Sequence, residues 1–188
     1  MSDPLLTPAL IGGLGSAQQA VRNLLMDSED VRSWGKVAAS VSSPLHLNAM
    51  GRFSGYALAT TGAAWGRANM LSRGVSLGES YVISTYVRPG STGQFRHVIW
   101  YPAANLGDSI AGPISAPATG GNGFTLLGSI PQSDGQSVLI QYRYVATHTG
   151  MAEFGLSPNG TTSGDDLIVL AVQIEAGTVP TPYQRKPL

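Results

Sequence analysis

The sequence predicts an all-β protein whose strands form a sandwich of two sheets. Twenty-four glycines and twelve prolines are scattered along the 188 residues, as turn residues are in a domain of many short strands. Several segments alternate apolar and polar residues with the two-residue period of a strand. The last run, Leu167 to Ile174, is apolar on both faces, which predicts a central strand buried on both sides.

Composition limits the classes of function. The length fits one domain, and the absence of cysteine excludes disulfides and thiolate metal sites. Eleven basic and eleven acidic residues balance, and only 12% of residues are charged. Because phosphate binding needs clustered lysine and arginine, nucleic acid is not expected as a partner. A weakly charged surface associates readily, which favours a homo-oligomer.

Residues 1–22 differ from the rest and are predicted to form an N-terminal arm. Their apolar stretch is broken by Pro8 and a glycine cluster and lacks a basic segment, so neither a signal peptide nor membrane insertion is expected. Ser16 and Gln19 match a capping box, which predicts a short helix ending near Arg22, although the same periodicity extends to Leu25. The arm is either a disordered terminus or an attachment to a larger particle.

The strands can be assigned in order from their alternation and the turns between them. The predicted strands are 36–41, 52–59, 80–88, 94–101, 124–130, 137–147, 151–156 and 167–174. Residues 62–79 are rich in glycine and alanine and are predicted to be irregular. Pro89-Gly90 predicts a turn, and Asn122-Gly123 and Asn159-Gly160 predict hairpins because both residue types tolerate positive φ. About eight to ten strands are expected of a jelly roll or related sandwich.

The alternation within three central strands separates core from surface. The predicted inward sets are Tyr81, Ile83, Thr85 and Val87; Phe95, His97, Ile99 and Tyr101; and Val138, Ile140, Tyr142 and Tyr144. If the three strands lie in one sheet, its outer face carries Ser84, Tyr86 and Arg88; Arg96, Val98 and Trp100; and Leu139, Gln141 and Arg143. Two aromatics, three arginines and an amide are unusual for a merely solvated surface.

Such a face has the chemistry that sugar recognition needs. The C–H face of a pyranose packs on an aromatic ring, and its hydroxyls or a uronate carboxylate bond to arginine and amide side chains. The predicted carbohydrate-binding residues are Tyr86, Arg88, Arg96, Trp100, Gln141 and Arg143, with Trp65 as a contact from a loop. The alternative is that Tyr86 and Trp100 are buried under a loop or a neighbouring subunit. Trp34 is predicted to lie in the core.

Catalytic interpretations find little support. His46, His97 and His148 lie on different segments without the spacing of a metal site or a triad. Residues 74–78 match the nucleophile elbow G-x-S-x-G, but a strand follows where that motif needs a helix. The carboxylates of Asp27, Glu29, Asp30, Asp165 and Asp166 could hold a structural calcium, yet no ligand loop is evident, and 165–166 is more simply a turn. No enzyme activity and no cofactor are therefore expected.

Three short motifs carry a resemblance to a known family. Asn23-Leu24-Leu25, followed by Ser28-Glu29-Asp30 and Trp34, opens the region; Ser80 to Arg88 reads SYVISTYVR; and Val172 to Gly177 with Thr181-Pro182-Tyr183 closes it. In this order they resemble jelly-roll domains of bacteriophage tail and head fibres, prophage structural proteins and gene transfer agent head spikes. Those domains are similar in shape to carbohydrate-binding modules. Pro180 and Pro182 fix an extended tail that is predicted to carry Tyr183 over the outside of the domain.

The resemblance implies a jelly-roll sandwich over 23–188 and an attachment arm over 1–22. It implies a spike or fibre protein on the surface of a virion or virion-like particle, made in the bacterial cytoplasm, which binds host capsule polysaccharide as a homo-oligomer. Residues 1–22 would contact a capsid or spike-base protein. The alternative is a purely structural capsid or tail decoration protein whose Tyr86 and Trp100 face is a subunit interface. A capsule-degrading enzyme is the third hypothesis and requires two close carboxylates in a groove.

Overall fold

The computed structural model describes residues 23–25, 29–42, 46–47, 54–63 and 65–184. The strands of this part of the chain are β1 Gly35–Val37, β2 Ala39–Val41, β3 His46–Leu47, β4 Ser54–Thr60, β5 Arg67–Val75, β6 Ser80–Pro89, β7 Gln94–Tyr101, β8 Leu106–Pro113, β9 Gly120–Gly121, β10 Phe124–Pro131, β11 Val138–Val145, β12 Gly150–Ser157 and β13 Asp166–Ala176. A 3₁₀ turn, Val31–Ser33, precedes them. Within the described ranges no helix has the length and hydropathy to cross a membrane.

The strands form two antiparallel sheets, as predicted. The smaller sheet has five strands in the order β1-β5-β12-β7-β8. The larger sheet has eight, in the order β2-β4-β13-β6-β11-β10-β9, with β3 paired to β4. The final strand, β13, lies between β4 and β6 and is buried on both faces. Its doubly apolar sequence therefore reflects a central position covered on both sides.

The core between the sheets is built from the inward faces predicted by alternation. All twelve predicted residues are buried except Val138, which is partly buried. Aromatic side chains fill much of the interior: the ring centroids of Tyr81 and Phe154 are 5.1 Å apart, and those of Phe124 and Tyr144 are 4.8 Å apart. Trp34 is only 5% exposed, which confirms its assignment to the core.

Two long strands, β5 and β8, were not predicted, nor were the two-residue strands β3 and β9. Residues 62–79 contain the nine-residue strand β5, so the prediction of an irregular segment is wrong. Its sequence is poor in β-branched residues and therefore has a low strand propensity. The strand forms nevertheless, because β1 and β12 pair with it on either side and supply backbone hydrogen bonds. The second, β8, contains Gly, Asp and Pro and lies at the edge of the smaller sheet, where such residues are tolerated.

The predicted turns have mixed outcomes. Asn122 and Gly123, at φ 48° and 81°, join β9 to β10 as a two-residue hairpin, which confirms that prediction. Asn159-Gly160 is not a hairpin, because it leads from β12 in the smaller sheet to β13 in the larger. The turn after Pro89 is confirmed, but it also passes between sheets. A side chain at Gly90 would clash with the backbone oxygen of Asp166, so the crossing requires glycine at this position.

Two polar side chains on the outer face of β13 hold the C-terminal tail. Gln173 is fully buried, and its Oε1 accepts a 2.6 Å hydrogen bond from the backbone N–H of Gln184. The carboxylate of Glu175 accepts a 3.1 Å bond from the backbone N–H of Thr181. Tyr183 then lies over the outside of the sheet, as predicted. The arm 1–22 and the helix predicted near Arg22 lie outside the described residues.

Replacing Gln173 with leucine is expected to lower the free energy of unfolding by about 1–3 kcal/mol, because buried groups of the tail lose their partners. Its amide also donates to the backbone oxygen of Thr181 at 3.4 Å. Urea denaturation measures the change, and Gln136→Leu, at an exposed position, is the matched control. Equal stability of the two variants would show that the tail is held by other contacts.

Candidate functional site

The predicted single face is divided between two sheets. Strands β6 and β11 are neighbours in the larger sheet, but β7 lies between β12 and β8 in the smaller one. The premise that all three strands share a sheet is therefore wrong. Tyr86, Arg88, Gln141 and Arg143 project from the outer face of the larger sheet, and Arg96 and Trp100 project from the opposite side of the sandwich. The cause is the turn after Pro89, which crosses between sheets instead of forming a hairpin.

The smaller sheet carries a pocket of about 510 Å³ on its outer face, which we call the tryptophan pocket. It is lined by Val37, Trp65, Arg67, Val98 and Trp100. Its volume lies within the roughly 300–1,000 Å³ typical of ligand sites. Trp65, in the loop before β5, is 62% exposed, whereas Trp100 is half-buried. Two of the predicted sugar contacts, distant in sequence, thus line one cavity.

Glycines let the large side chains of the pocket lie close to the sheet. A Cβ atom at Gly107 on β8 would be 2.9 Å from Cε3 of Trp100, so the indole rests against that backbone. A Cβ atom at Gly155 on β12 would be 3.0 Å from Cδ of Arg67, so the arginine stem crosses β12 at this point. Both contacts fix the direction of a pocket side chain.

Among the described residues that line the tryptophan pocket, Arg67 is the only charged one, and it is 8% exposed. Its Nε donates a 2.9 Å hydrogen bond to Oδ1 of Asn69, and its Nη2 lies 3.5 Å from Oε2 of Glu153. The same carboxylate oxygen accepts a shorter bond, 2.8 Å, from Nδ2 of Asn69. The sequence interpretation missed Arg67 because β5 was not predicted. The alternation of Arg67 and Asn69 with buried Ala68 and Met70 was the signal that could have identified it.

Each tryptophan of the pocket faces a guanidinium group. Cζ of Arg67 is 5.9 Å from the Trp100 ring centroid, and Cζ of Arg96 is 5.1 Å from that of Trp65. Both distances fit cation–π interaction. Burial lowers the pKa of the Arg96 guanidinium, but an arginine remains protonated at neutral pH. The pocket therefore combines apolar rings with one cation in its lining, Arg67, and a second, Arg96, lies over the ring of Trp65.

On the larger sheet, Arg88 is part of an ion pair within the protein. Its Nη2 lies 2.8 Å from Oδ2 of Asp134, and its Nε donates a 3.0 Å hydrogen bond to Oγ of Ser137. Burial acts to raise the pKa of Asp134, but hydrogen bonds from Ser137 and Arg88 outweigh it and hold that pKa below its usual range. These contacts link β6 to the turn between β10 and β11, so Arg88 has a structural role in this sheet.

Tyr86 is half-buried and packs against the C-terminal tail of its own chain. Its ring centroid is 5.6 Å from that of Tyr183, and burial raises its pKa. Beside it runs a groove of about 330 Å³ lined by Ser84, Tyr86, Ile130, Leu139, Gln141, Gln173, Pro180, Thr181, Pro182 and Tyr183. Gln141 donates a 3.1 Å bond to Oγ of Ser84 at its floor. Arg143 lies farther along β11, opposite Val82 and Thr125.

Comparison with known proteins identifies the fold. No family model matches the sequence, and no curated protein matches it. Among solved structures, the CBM22-1 xylan-binding domain of Paenibacillus barcinonensis Xyn10C aligns over 86% of this chain and 99% of its own, with 11% identity and a TM-score of 0.50. The fold is a jelly roll. The CBM22-1–GH10 modules of Clostridium thermocellum xylanase 10B, complexed with xylohexaose, align over 87% of this chain and 30% of theirs, with 13% identity and a TM-score of 0.51.

Within this jelly roll the histidines and the elbow-like motif are dispersed. His46 lies on β3, His97 is buried in the core, and Nδ1 of His148 is 2.8 Å from Oγ1 of Thr147. Ser76 lies in the turn between β5 and β6, so a strand follows it and the geometry of a nucleophile elbow is not formed.

The acidic residues considered for calcium have other roles where the structure describes them. Asp30 pairs with Arg32 at 2.7 Å, and Glu29 accepts a 2.7 Å bond from the Tyr183 hydroxyl. Oδ2 of Asp165 accepts from the backbone N–H groups of residues 161 and 162, which confirms a turn there. Asp27 lies outside the described residues. In the described part of the chain no three His, Asp or Glu side chains are grouped to hold a metal ion.

Replacing Gly155 with alanine is expected to destabilise the protein by about 1–3 kcal/mol, because the new methyl group overpacks against Arg67. It would lie 3.0 Å from Cδ of Arg67 and 3.3 Å from Oδ1 of Asn69. Thermal unfolding measures the effect, and tryptophan fluorescence reports the displaced guanidinium at Trp100. Gly74→Ala on β5, which meets nothing within 4 Å, is the control. Unchanged stability and fluorescence would show that Arg67 is not held against β12.

Proposed function

We propose that this protein binds polysaccharide in the tryptophan pocket and does not act on it chemically. The observation that carries the proposal is the pairing of Trp65 and Trp100 in one open cavity of about 510 Å³. Apolar C–H faces of a pyranose pack on such rings. The fold supports the proposal, because both solved structures described above contain carbohydrate-binding modules, one called xylan-binding and one complexed with xylohexaose.

The pocket provides the two kinds of contact that a sugar needs. Trp65 is 62% exposed and presents a ring at the rim, and Trp100 presents a half-buried ring on the sheet. Arg67 and Arg96 supply N–H donors for hydroxyl or carboxylate oxygens. Arg96 and Trp100 lie on β7 and Arg67 lies on β5 of the same sheet, with only β12 between the two strands, so the spacing of these side chains is rigid. Rigid placement lowers the entropic cost of binding.

The biological setting in this proposal is the surface of a virion or virion-like particle. The opening, central and closing motifs support it through their resemblance to phage fibre and head-spike domains. Residues 1–22 attach the protein to the particle through a capsid or spike-base protein, and the tryptophan pocket contacts polysaccharide on the host cell. Single sugar sites are weak, and several copies on one particle raise avidity by about 10² to 10⁴. The protein is therefore expected to act as a homo-oligomer.

Binding of the purified full-length protein to polysaccharides tests the chemical part of the proposal. Affinity electrophoresis through gels containing neutral and acidic polysaccharides, xylan among them, should retard the wild type on at least one polymer. The biological part is tested by binding to capsulated and capsule-free cells of a candidate host, which should differ. No retardation on any polymer and no binding to capsulated cells would favour the structural decoration hypothesis.

A further inference from the structure

The tryptophan pocket contains a buried cation whose charge is only partly compensated. The side chain of Arg67 is 10% exposed, and its one carboxylate partner, Glu153, is 3.5 Å away, the limit of a hydrogen bond. The shorter bond of that carboxylate, 2.8 Å, goes to the neutral amide of Asn69. The contacts with Asn69 and Glu153 involve Nε and Nη2, and a guanidinium has five N–H donors. Arg67 thus retains donors for a ligand at the wall of the pocket.

A second cation stands at the rim. Arg96 shares the outer face of β7 with Val98 and Trp100, and its guanidinium is stacked on the exposed ring of Trp65. Glu153, on β12, lies opposite Trp100 of β7 in the register of the two strands. Two guanidinium groups therefore lie beside the apolar rings, Arg67 at the wall of the pocket and Arg96 at its rim.

Positive charge placed in this way favours an acidic sugar over a neutral one. Removing a guanidinium from water is costly unless an anion compensates it, and the existing partner does so at long range. A carboxylate on a sugar ring bound in the tryptophan pocket would bring a second anion to Arg67. Arginine binds a carboxylate through two parallel N–H···O bonds, a geometry that a single hydroxyl does not match.

We infer that the tryptophan pocket selects uronate-containing polysaccharide, with Arg67 binding the sugar carboxylate and Arg96 adding positive potential at the rim. This rests on the proposed function, since it assigns the ligand class of the same pocket. It goes further by predicting that charge, not ring stacking alone, decides which polysaccharide is bound.

The test compares polymers that differ only in charge. Polygalacturonate, alginate and hyaluronan are each offered to the full-length protein beside derivatives in which the carboxyl groups are reduced to neutral hydroxymethyl groups. We expect at least one acidic polymer to bind about tenfold or more tightly than its reduced form, with an advantage that shrinks as salt is raised. Equal binding within every pair, or binding to neutral polymers alone, overturns the inference and leaves polysaccharide binding standing. Binding to no acidic or neutral polymer removes both.

Variants of the pocket arginines test which residues cause the preference for acidic polysaccharide. Arg96→Gln should reduce the ratio between acidic and reduced polymer several-fold, and the double change Arg67→Gln with Glu153→Gln should abolish it while keeping the buried pair neutral. Arg73→Gln is the matched control, because Arg73 lies on β5 beyond the pocket, stacks on Tyr81 at 5.2 Å and approaches Glu79 at 3.9 Å. It should retain the full ratio. A preference that survives both pocket variants, or that Arg73→Gln removes, contradicts the assignment.

Discussion

Trp100→Ala is expected to weaken polysaccharide binding by about 30-fold or more, the loss of about 2 kcal/mol typical of a central aromatic contact. The indole lines the tryptophan pocket and rests on Gly107, so its removal opens the floor of the site. Trp65→Ala should act in the same direction. Isothermal titration calorimetry with the polymer that binds the wild type measures both variants.

Stability separates this prediction from the hypothesis that Trp100 is simply core. A fully buried tryptophan replaced by alanine costs about 3–5 kcal/mol, whereas the half-buried Trp100 should cost less, and Trp65, 62% exposed, almost nothing. Leu77→Ala is a suitable control, because Leu77 is 68% exposed and lies in the turn between β5 and β6. Folded tryptophan variants that bind like the wild type would contradict the assignment of the pocket. A large loss of stability in Trp100→Ala would instead support a packing role.

The inward faces could be predicted because they depend only on the two-residue period within a strand. Tyr81, Phe95 and Tyr142 show that period in sequence and are buried in the structure. Which strands become neighbours is a different question. Pro89-Gly90 is compatible with a hairpin and with a crossing, and the crossing is fixed by the contact of Gly90 with Asp166, 76 residues farther along the chain. A close approach of that kind leaves no local pattern, so Tyr86 and Trp100 were wrongly expected on one face.

The residues of the tryptophan pocket could be predicted only in part from the sequence, for a similar reason. Trp65 and Trp100 were predicted as sugar contacts, but nothing near either residue indicates that they line one cavity. Both line it because β5, which follows the loop of Trp65, is separated from β7 only by β12 in the smaller sheet. Arg67 was missed because the residues of β5 have low strand propensity, and the strand forms through its partners on both sides. Fold class therefore came from local patterns, whereas the site depends on strand order.

Stability should fall by about 3 kcal/mol between pH 7 and pH 4 because of His97 alone. Its side chain is fully buried, and the ring neighbours are Phe95 at 5.6 Å and Tyr142 at 5.8 Å between centroids. Its Nε2 is 3.3 Å from Oγ1 of Thr85, and its Nδ1 has no hydrogen-bond partner in the described part of the chain. Burial therefore lowers the pKa of this imidazole from 6.5 to about 4.

The direction of this change in stability follows from the number of protons that the folded and the unfolded protein bind. Between about pH 6.5 and pH 4 the unfolded chain protonates His97 while the folded protein keeps it neutral, so acid favours unfolding. The contribution is complete above pH 6.5 and is lost as pH falls through the folded pKa. The fall of the pKa from 6.5 in the unfolded chain to about 4 in the folded protein, at about 1.36 kcal/mol for each tenfold change in proton affinity, corresponds to a loss of about 3 kcal/mol in the free energy of unfolding. Urea denaturation at half-unit steps from pH 7.5 to pH 4 measures it.

His97→Gln should flatten that pH dependence by about 3 kcal/mol over the same interval, because the substituted side chain does not titrate. His148→Gln serves as the control, since His148 lies at the end of the sandwich, partly buried beside Tyr101 with ring centroids 5.2 Å apart. The control shows whether replacing a histidine outside the core with glutamine alters the slope. If His97→Gln and the wild type lose stability equally on acidification, other groups cause the effect. The imidazole between Phe95 and Tyr142 must then be accessible to protons in the folded state.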